Sequence, residues 1–306
     1  MVEPMSGTGK QEVTITVNEL AKGSGKRSGE VKFLLNDKDY RSTMTVEQYD
    51  YQYGDGDVVE LQKSSVGNGV NIVIMGDCFD AKDISEGKYL KAMNDAYSYF
   101  FDIEPYLTYK DYFNVYGVFG VSPDSGLGTV NTIKESRFGT QYSVNRGENN
   151  SRVEPDFDLT FAAACKAPIN NDVSTTLIIM IENTSECEGT CFMWGDGSAV
   201  ALAPMSTDPA PSDFRGIVHH EAGGHGFGKL SDAYIYHNAF LSSCQCDCCG
   251  EHKVAFERFK SWGFFENVSL EGSVYEVPWS HMVFDPQYSD MVDVYEGAYY
   301  HTRGVY

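Results

Sequence analysis

The sequence lacks any apolar run near the roughly 18 residues that a membrane-spanning helix needs, so we expect no membrane span. Basic residues are also scarce, since 23 Lys and Arg stand against 44 Asp and Glu and give a formal net charge of −21 at pH 7. That charge repels phosphate backbones, and because no basic stripe reverses it locally, we expect no nucleic-acid partner. Internal repeats and low-complexity tracts are missing as well, which argues against solenoids and other arrays.

The chain begins MVEPMSGTGK, which lacks the charged start and apolar stretch of a signal peptide. Eight cysteines are present, and four of them fall within residues 244–249. Four thiolates would suit zinc, but their spacing is not the paired C-x-x-C pattern, so disulfide bonds in an oxidising compartment are the favoured interpretation. We therefore predict a secreted or cell-surface protein. Either a signal or anchoring segment is missing from this chain, or the chain is not exported.

The 306 residues are 42% hydrophobic and 13% aromatic, which predicts a folded protein with two domains. Residues 12–17, 30–35 and 41–47 alternate apolar and polar side chains, as the strands of a small antiparallel β unit do. The small residues of SSVGNGV, at 64–70, place the boundary between domains 1–67 and 68–306. The run from TITVNEL to TMTVEQ resembles part of the BACON family of immunoglobulin-like modules, which are found on exported bacterial enzymes.

The second domain is predicted to be an α/β sheet with helices packed on it. Its pattern is a buried strand at 71–75, a helix at 86–101, and strands at 113–121 and 176–182. A further apolar segment, AVALAP at 199–204, is predicted to be a strand with which an extended peptide could pair.

The candidate metal ligands lie in the segment PSDFRGIVHHEAGGHGFGKLSDAY, at 211–234. Ser212 or Asp213 can cap a helix that ends near His220 and His225. In the zinc-peptidase pattern H-E-x-x-H the histidines are four residues apart and share one helix face. Here they are five apart, so we predict a π-type bulge that returns both imidazoles to one side. The pair His219 and His225 is the poorer alternative, at six residues.

Catalytic zinc needs a third protein ligand and an open position. Asp232, seven residues beyond His225 and after a glycine-containing turn, is the predicted third ligand, and His237 is the alternative. Glu221 is the predicted general base of peptide hydrolysis, because it is next to a ligand without being one. The candidates for stabilising the oxyanion are Tyr299, Tyr300 and His301.

The run HGFGKLSDAY, at 225–234, resembles the signature of the immunoglobulin-A-peptidase family of zincin-type metallopeptidases. Residues 69–81, 104–118 and 292–306 carry further similarity. The resemblance implies a zincin-like domain with a mixed sheet and an active-site helix, a Zn²⁺ cofactor, and cleavage of extracellular proteins or glycoproteins. The chain departs from the signature at Ala233, where the family usually has an acidic residue. The alternative is therefore a catalytically impaired member that binds glycoproteins.

Overall fold

A computed structural model describes residues 1–18, 20, 26–34, 41–49, 52–129, 132–143, 151–241 and 247–306. For residues 41 and 247–251 the description is limited to the backbone. The strands in chain order are β1 (Val2–Glu3), β2 (Thr14–Ile15), β3 (Lys26–Leu34), β4 (Arg41–Tyr49), β5 (Val58–Gln62), β6 (Val70–Asp77), β7 (Phe113–Val118), β8 (Gln141–Tyr142), β9 (Val153–Glu154), β10 (Thr176–Glu182), β11 (Thr190–Met193), β12 (Ala199–Pro204), β13 (Ile235–Phe240) and β14 (Tyr300–Arg303).

The helices that the structure describes all follow β6 in the chain. They are α1 (Ala81–Ser85), α2 (Lys88–Phe100), α3 (Phe157–Ala164), α4 (Phe214–Ile217), α5 (Asp247–Ser261) and α6 (Ser280–Val283), with a short 3₁₀ helix at Lys110–Tyr112 and a π-helix at Val218–Phe227. None of the helices described here is long and apolar enough to cross a membrane.

A mixed six-stranded sheet with the order β11-β12-β10-β6-β7-β5 forms the centre of the molecule. The four inner strands run parallel, whereas the edge strands β11 and β5 are antiparallel to their neighbours. Strands β6, β10 and β12 are continuous apolar runs because helices or loops cover both faces of the sheet. The α/β prediction with a mixed sheet is confirmed.

Alternate residues of the inner strands supply two hydrophobic layers. On one face, Ile72 and Ile74 of β6 pack in the cluster that contains Tyr89 of α2 and Val218 of the π-helix. On the other face, Val73 and Met75 belong to the cluster that contains Ala163 and Ala164 of α3. The two-residue period of a strand thus fixes which helix each side chain meets. The π-helix at Val218–Phe227 therefore lies on the same face of the sheet as α2.

The N-terminal strands form two separate antiparallel pairs, β1 with β2 and β3 with β4. Antiparallel pairing was predicted for this region, and the predicted segments at 30–35 and 41–47 overlap β3 and β4. Most side chains of β3 are exposed, and the described strands do not assemble into a sandwich. The immunoglobulin-like module and the division into domains 1–67 and 68–306 stay predictions. Strand β5, at 58–62, belongs to the central sheet.

The remaining sequence predictions for the sheet can be compared strand by strand. The segments at 71–75, 113–121 and 176–182 coincide with β6, β7 and β10, and the helix at 86–101 coincides with α2. The segment AVALAP is a strand, but the proposal that it pairs with substrate is wrong. It is β12, which hydrogen-bonds to β10 on one side and to β11 on the other and is buried along its whole length. The exposed edge next to it is β11.

Candidate metal centre

The helix that carries the motif begins at a side-chain cap. Asp213 is the N-cap residue, and its Oδ1 accepts a hydrogen bond from the backbone N–H of Gly216 at 2.9 Å. One turn of α-helix follows in α4, and the hydrogen bonding then changes to the π type from Val218 to Phe227. A π-helix has i→i+5 hydrogen bonds, which bring residues five apart onto one face. The distortion that the spacing of the histidines predicted is therefore present.

Two glycines allow this helix to approach its neighbours closely. A Cβ on Gly226 would lie 2.6 Å from Cδ1 of Leu177, so the helix backbone packs directly onto β10. A Cβ on Gly223 would lie 3.0 Å from the ring of Tyr106, whose hydroxyl donates a hydrogen bond to the Gly223 carbonyl at 2.6 Å. The absence of a Cβ at these two glycines therefore lets the π-helix pack closely against β10 and Tyr106.

The chain leaves the helix at Lys229, whose φ is +52°. Gly228 retains a helical conformation at φ −71°, so the left-handed position of this turn falls on a residue other than glycine. The backbone N–H of Lys229 donates to the His225 carbonyl at 3.0 Å, and that of Leu230 donates to the Gly224 carbonyl at 3.0 Å. This reversal brings Asp232 back beneath the helix.

Three ligand atoms meet at the base of a cleft. Nε2 of His220 lies 3.1 Å from Nε2 of His225, and Oδ1 of Asp232 lies 3.1 Å and 3.2 Å from these two nitrogens. Ligands held at about 2.0–2.1 Å around a tetrahedral zinc ion are roughly 3.3 Å apart, so the three atoms nearly match such a set. Oδ1 of Asp232 is buried, and no backbone or hydroxyl group donates a hydrogen bond to it, which leaves it available to a cation. Two imidazoles and one carboxylate are a fitting set for a catalytic metal.

Neighbouring groups orient these three side chains. Nδ1 of His225 lies 2.7 Å from the Leu230 carbonyl, which must accept a proton from it, so Nε2 presents its lone pair to the cleft. The hydroxyl of Tyr300 donates to Oδ2 of Asp232 at 3.1 Å, which turns Oδ1 toward the histidines. Both contacts are of the kind that fixes metal ligands in proteins.

The ionisable groups in the cleft shift one another's pKa values. Burial lowers the pKa of His225, but the hydrogen bond to Asp232 and the charge of Glu221 outweigh it and raise that pKa to about 9. Burial opposes ionisation of Asp232, yet hydrogen bonds from His220 and His225 hold its pKa well below the usual range. Metal binding would displace the proton that the raised pKa favours on His225.

Glu221 lies in the same cleft and is buried, with 8% of its surface exposed. Burial raises the pKa of its carboxyl group, although the nearby charges of His225 and His220 lower it. Gly189, just before β11, makes room for it, since a Cβ there would lie 2.9 Å from Cγ and 3.0 Å from Oε1 of Glu221. A carboxylate with a raised pKa beside a metal site is suited to accept and return a proton.

The cleft has a volume of about 490 Å³. Edge strand β11 contributes Thr190 to Met193 to its lining, and the opposite side includes Arg258, Tyr299 and Tyr300. The outer edge of β11 faces no further strand in the sheet described. Strand β11 is therefore the edge strand beside the metal site, and an extended chain could be added along its outer edge.

The structure separates the predicted oxyanion candidates. Tyr299 lines the cleft, and burial raises the pKa of its phenol to about 12, while the hydroxyl of Tyr300 is committed to Asp232. His301 does not line the cleft. It is fully buried, and its ring packs against His252 and His237, so the geometry does not support its predicted role.

The positions of His237 and His219 decide two alternatives for the metal ligands that the sequence left open. His237 lies in that separate histidine group, so Asp232 is the side chain that meets His220 and His225. His219 points the other way, because its Nε2 lies 2.7 Å from Oδ1 of Asp102 and 2.8 Å from the Tyr99 carbonyl. It ties the helix to the end of α2.

Sequence reasoning missed three parts of the site. The Leu230 carbonyl is a backbone group and leaves no trace in side-chain patterns. Strand β11 is a four-residue segment, too short for its alternation to be distinctive. The third part is the set of cleft-lining residues from distant segments, which includes Arg152 and Arg258. The sequence indicated a contribution of the C-terminal region only through the oxyanion candidates Tyr299 and Tyr300.

The cysteine prediction is tested only in part. Four cysteines that the structure describes are free thiols, namely Cys78, Cys165, Cys187 and Cys191. Residues 242–246 and the side chains of 247–251 lie outside the described part of the chain, and the cluster at 244–249 falls within them. Disulfide bonds among Cys244, Cys246, Cys248 and Cys249 stay a prediction.

Comparison with protein families gives a match over the region just described. The model of the IgA peptidase M64 family matches residues 59–257, which is 199 of the 306 residues and includes the π-helix and Asp232. The match begins after the N-terminal strand pairs, so the BACON resemblance receives no support from it. A search of curated proteins found no match. Because the family match covers more than half of the sequence, the chain belongs to the IgA peptidase M64 family, a family of metal-dependent peptidases.

Proposed function

We propose that this protein is a zinc-dependent endopeptidase that hydrolyses peptide bonds of extracellular proteins or glycoproteins. The observation that carries the proposal is the convergence of Nε2 of His220, Nε2 of His225 and Oδ1 of Asp232 within 3.2 Å of one another. Membership of a metallopeptidase family supports the reaction class. The zinc, the roles of the residues and the class of substrate are inferred from the site.

His220, His225 and Asp232 would hold the ion, and the cleft leaves its remaining side open. When bound, zinc supplies a Lewis acid that polarises the scissile carbonyl and lowers the pKa of a water molecule. The Leu230 carbonyl and the Tyr300 hydroxyl keep two of the ligands in place. This arrangement reduces the reorganisation that binding would otherwise require.

Glu221 acts as the general base in this proposal. Its carboxylate takes the proton of the attacking water and delivers it to the amine of the leaving group. Burial raises its pKa, which makes the carboxylate a stronger base than an exposed glutamate. Tyr299 stays the candidate for a hydrogen-bond donor to the oxyanion, since it lines the cleft.

Strand β11 binds the substrate backbone in an extended conformation. Its outer edge is unpaired within the described sheet, and its residues line the cleft that contains the metal ligands. A peptide added along this edge would satisfy the free backbone groups of the strand and pass the metal site. The site therefore suits an unfolded or loop segment of a protein better than a compact surface.

Ala233, the departure from the family signature, does not line this cleft. It lies in a separate apolar groove together with Leu230 and Val268. The substitution thus leaves the ligands and the proposed base unaltered, which favours an active enzyme over the catalytically impaired glycoprotein-binding alternative. Export to the cell surface or medium remains part of the proposal and is supported by the clustered cysteines at 244–249.

The decisive experiment combines Glu221→Gln with metal analysis. We expect the variant to keep zinc and to lose about 10²–10⁴-fold in kcat on a peptide library, because only proton transfer is removed. Glu188→Gln is the matched control, since Glu188 lines the same cleft and has no assigned role in proton transfer. A wild-type protein that binds zinc but cleaves nothing in the library would establish the glycoprotein-binding alternative. A protein that binds no metal would refute the zinc-dependent mechanism.

A further inference from the structure

The cleft that contains the metal ligands is lined by charged side chains of both signs. Glu188, Glu221 and Asp232 contribute negative charge, whereas Arg152 and Arg258 contribute positive charge. Acidic residues outnumber basic ones by almost two to one in this chain, with 44 Asp and Glu against 23 Lys and Arg. Two arginines in one cleft are therefore unusual for this composition, and they are candidate contacts for an anionic group of the substrate.

Arg152 already has an acidic partner within the protein. Its Nε lies 3.4 Å from Oε1 of Glu154, and its guanidinium carbon lies 4.6 Å from the ring centre of Phe192 on β11. The ion pair partly neutralises the charge of Arg152 before any substrate arrives.

Arg258 has different surroundings on α5. The other Lys and Arg side chains of that helix form ion pairs. Lys253 lies 3.7 Å from Glu257, and Lys260 lies 3.0 Å from Glu266. In contrast, no carboxylate in the described part of the chain lies within 4.0 Å of the guanidinium of Arg258. The charge of Arg258 is thus left for a group from outside the protein.

Two aromatic rings support the guanidinium of Arg258. Its central carbon lies 5.6 Å from the ring centre of Phe259 and 5.6 Å from that of Trp262, within the range of a cation–π interaction. The two rings also pack against each other, with their centres 5.3 Å apart. Because a planar guanidinium stacked on aromatic rings is already oriented, it loses less side-chain freedom when it binds a ligand.

The position of Arg258 in the cleft is close to Tyr299, the candidate donor to the oxyanion. Burial raises the pKa of the Tyr299 phenol to about 12, and the positive charge of Arg258 opposes that rise. A cleft of about 490 Å³ holds roughly three residues of an extended chain, since each residue advances about 3.3 Å. A group that Arg258 binds therefore belongs to a residue near the scissile bond.

We propose that Arg258 determines specificity by binding a carboxylate of the substrate, which is carried by an acidic side chain near the scissile bond or by a C-terminus. The inference rests on the proposed peptidase function and narrows its substrates to peptides with a carboxylate at this place. The paired N–H donors of a guanidinium match the two oxygens of a carboxylate, and such charge-assisted hydrogen bonds are roughly twice as strong as neutral ones. The formal charge of −21 would otherwise repel an anionic substrate, and Arg258 offsets that repulsion locally.

The test compares matched peptides on the zinc-loaded full chain. Fluorogenic peptides of one sequence carry Glu, Gln or Lys at each of the three positions on either side of the scissile bond, and each is made with a free and an amidated C-terminus. We expect kcat/KM to be about tenfold higher for the Glu peptide than for the Gln peptide at one position, as one charge-assisted contact provides. If amidation removes the advantage instead, the C-terminus is the source of the carboxylate.

Variants of Arg258 assign the effect to this side chain. Arg258→Gln should remove the advantage of the carboxylate peptide and leave kcat/KM for its uncharged counterpart nearly unchanged. Arg258→Lys keeps the charge but loses the paired donors, so it should retain only part of the advantage. Lys253→Gln is the matched control, because it removes one positive charge from the same helix at a described residue that does not line the cleft. It should keep the wild-type preference.

A binding measurement separates this inference from the proposed function. Fluorescence anisotropy of the same peptides with Glu221→Gln, with and without added zinc, reports the contact without hydrolysis. The carboxylate peptide should bind about tenfold more tightly than its uncharged counterpart, and adding Arg258→Gln should abolish the difference. If this preference is found but no peptide is cleaved by the wild type, the carboxylate site stands and the peptidase function is refuted.

Two results would overturn the role of Arg258. Equal binding and equal hydrolysis of charged and uncharged peptides would show that Arg258 only packs on its aromatic neighbours, while the peptidase function would stand. An equal loss of kcat/KM for both kinds of peptide in Arg258→Gln, with zinc content unchanged, would show that the side chain serves the reaction in general and does not select a carboxylate.

Discussion

Among the residues that the structure describes, two groups of side chains bring potential metal-ligand atoms within 4.8 Å of one another, and they differ in burial and in hydrogen bonding. The cleft group is His220, His225 and Asp232, and the buried group is Asp77, Cys78 and Glu182. The cleft group opens to solvent, and no backbone or hydroxyl group donates a hydrogen bond to Oδ1 of Asp232. The buried group lies at the carboxyl ends of β6 and β10 and is enclosed on all sides.

Hydrogen bonds explain the difference. Asp77 accepts from five donors, which are the N–H groups of Cys78, Phe138 and Thr140 and the hydroxyls of Ser122 and Thr140. Its lone pairs are therefore already used. Burial raises the pKa of the Cys78 thiol and of the Glu182 carboxyl group, which disfavours the anionic forms that would bind a cation. Proximity of ligand atoms thus indicates a metal site only where those atoms lack other partners and an ion has access.

The largest effect is expected from Asp232→Ala in the cleft group. Loss of the third ligand should release the metal and lower kcat/KM by at least about a thousandfold, because metal catalysis supplies several kcal/mol of transition-state stabilisation. Elemental analysis and peptide hydrolysis check the two effects. The free energy of unfolding of the metal-free protein should change little, and a variant that retained its metal would contradict the assignment.

Asp77→Ala in the buried group should show the reverse pattern. The substitution leaves five donors without their acceptor, so we expect the free energy of unfolding to fall by at least about 3 kcal/mol, as measured by urea denaturation. Metal content per folded molecule should stay at the wild-type value. If this variant were as stable as the wild type and lost metal instead, the contrast between the two groups would be wrong.

Tyr300→Phe should produce a smaller change in the cleft. The variant removes the hydroxyl that donates to Oδ2 of Asp232 but retains the ring. Outer contacts of this kind typically contribute about 10–100-fold to metal affinity, which competition with a chelator can measure. Tyr295→Phe is a control for the loss of an exposed phenol, and it should leave the affinity unchanged.

The smallest effect, taken per pH unit, is expected in the pH dependence of stability at Glu182. Its pKa is raised in the folded protein, so its favourable contribution is complete below the unfolded pKa and is lost as pH rises toward the folded pKa. Glu182→Gln removes that ionisation. The stability difference between variant and wild type should therefore shift in favour of the variant above about pH 4.5, by up to about 1.4 kcal/mol per pH unit. Denaturation curves that remain parallel from pH 4 to pH 8 would show that Glu182 does not titrate in this way.

Much of the central sheet was predictable because its strands are fully buried. Continuous apolar runs at 71–75 and 176–182 identify β6 and β10 without reference to the rest of the chain. The edge strands β5 and β11 were missed, since short or half-exposed strands have weak patterns. Helices α3 and α5 were also missed, because polar and glycine-rich flanking segments obscured their periodicity.

The sequence by itself determined the local part of the site. The five-residue interval between His220 and His225 required a helical distortion, because an ideal α-helix would direct the two rings apart. The apolar strands and the reaction class also followed from residues that are close together in the chain. Such features depend on backbone geometry over one or two turns, which adjacent residues specify.

Only the tertiary structure decided which distant groups meet. It selected Asp232 over His237, placed His301 outside the cleft and against His237 and His252, and made β11 the edge strand of the sheet beside the cleft. These outcomes depend on a left-handed residue at Lys229 and on the pairing of β13 with β14 across some sixty residues. Side-chain periodicity carries no information about such long-range pairing, because the free energy that fixes it comes from packing between segments.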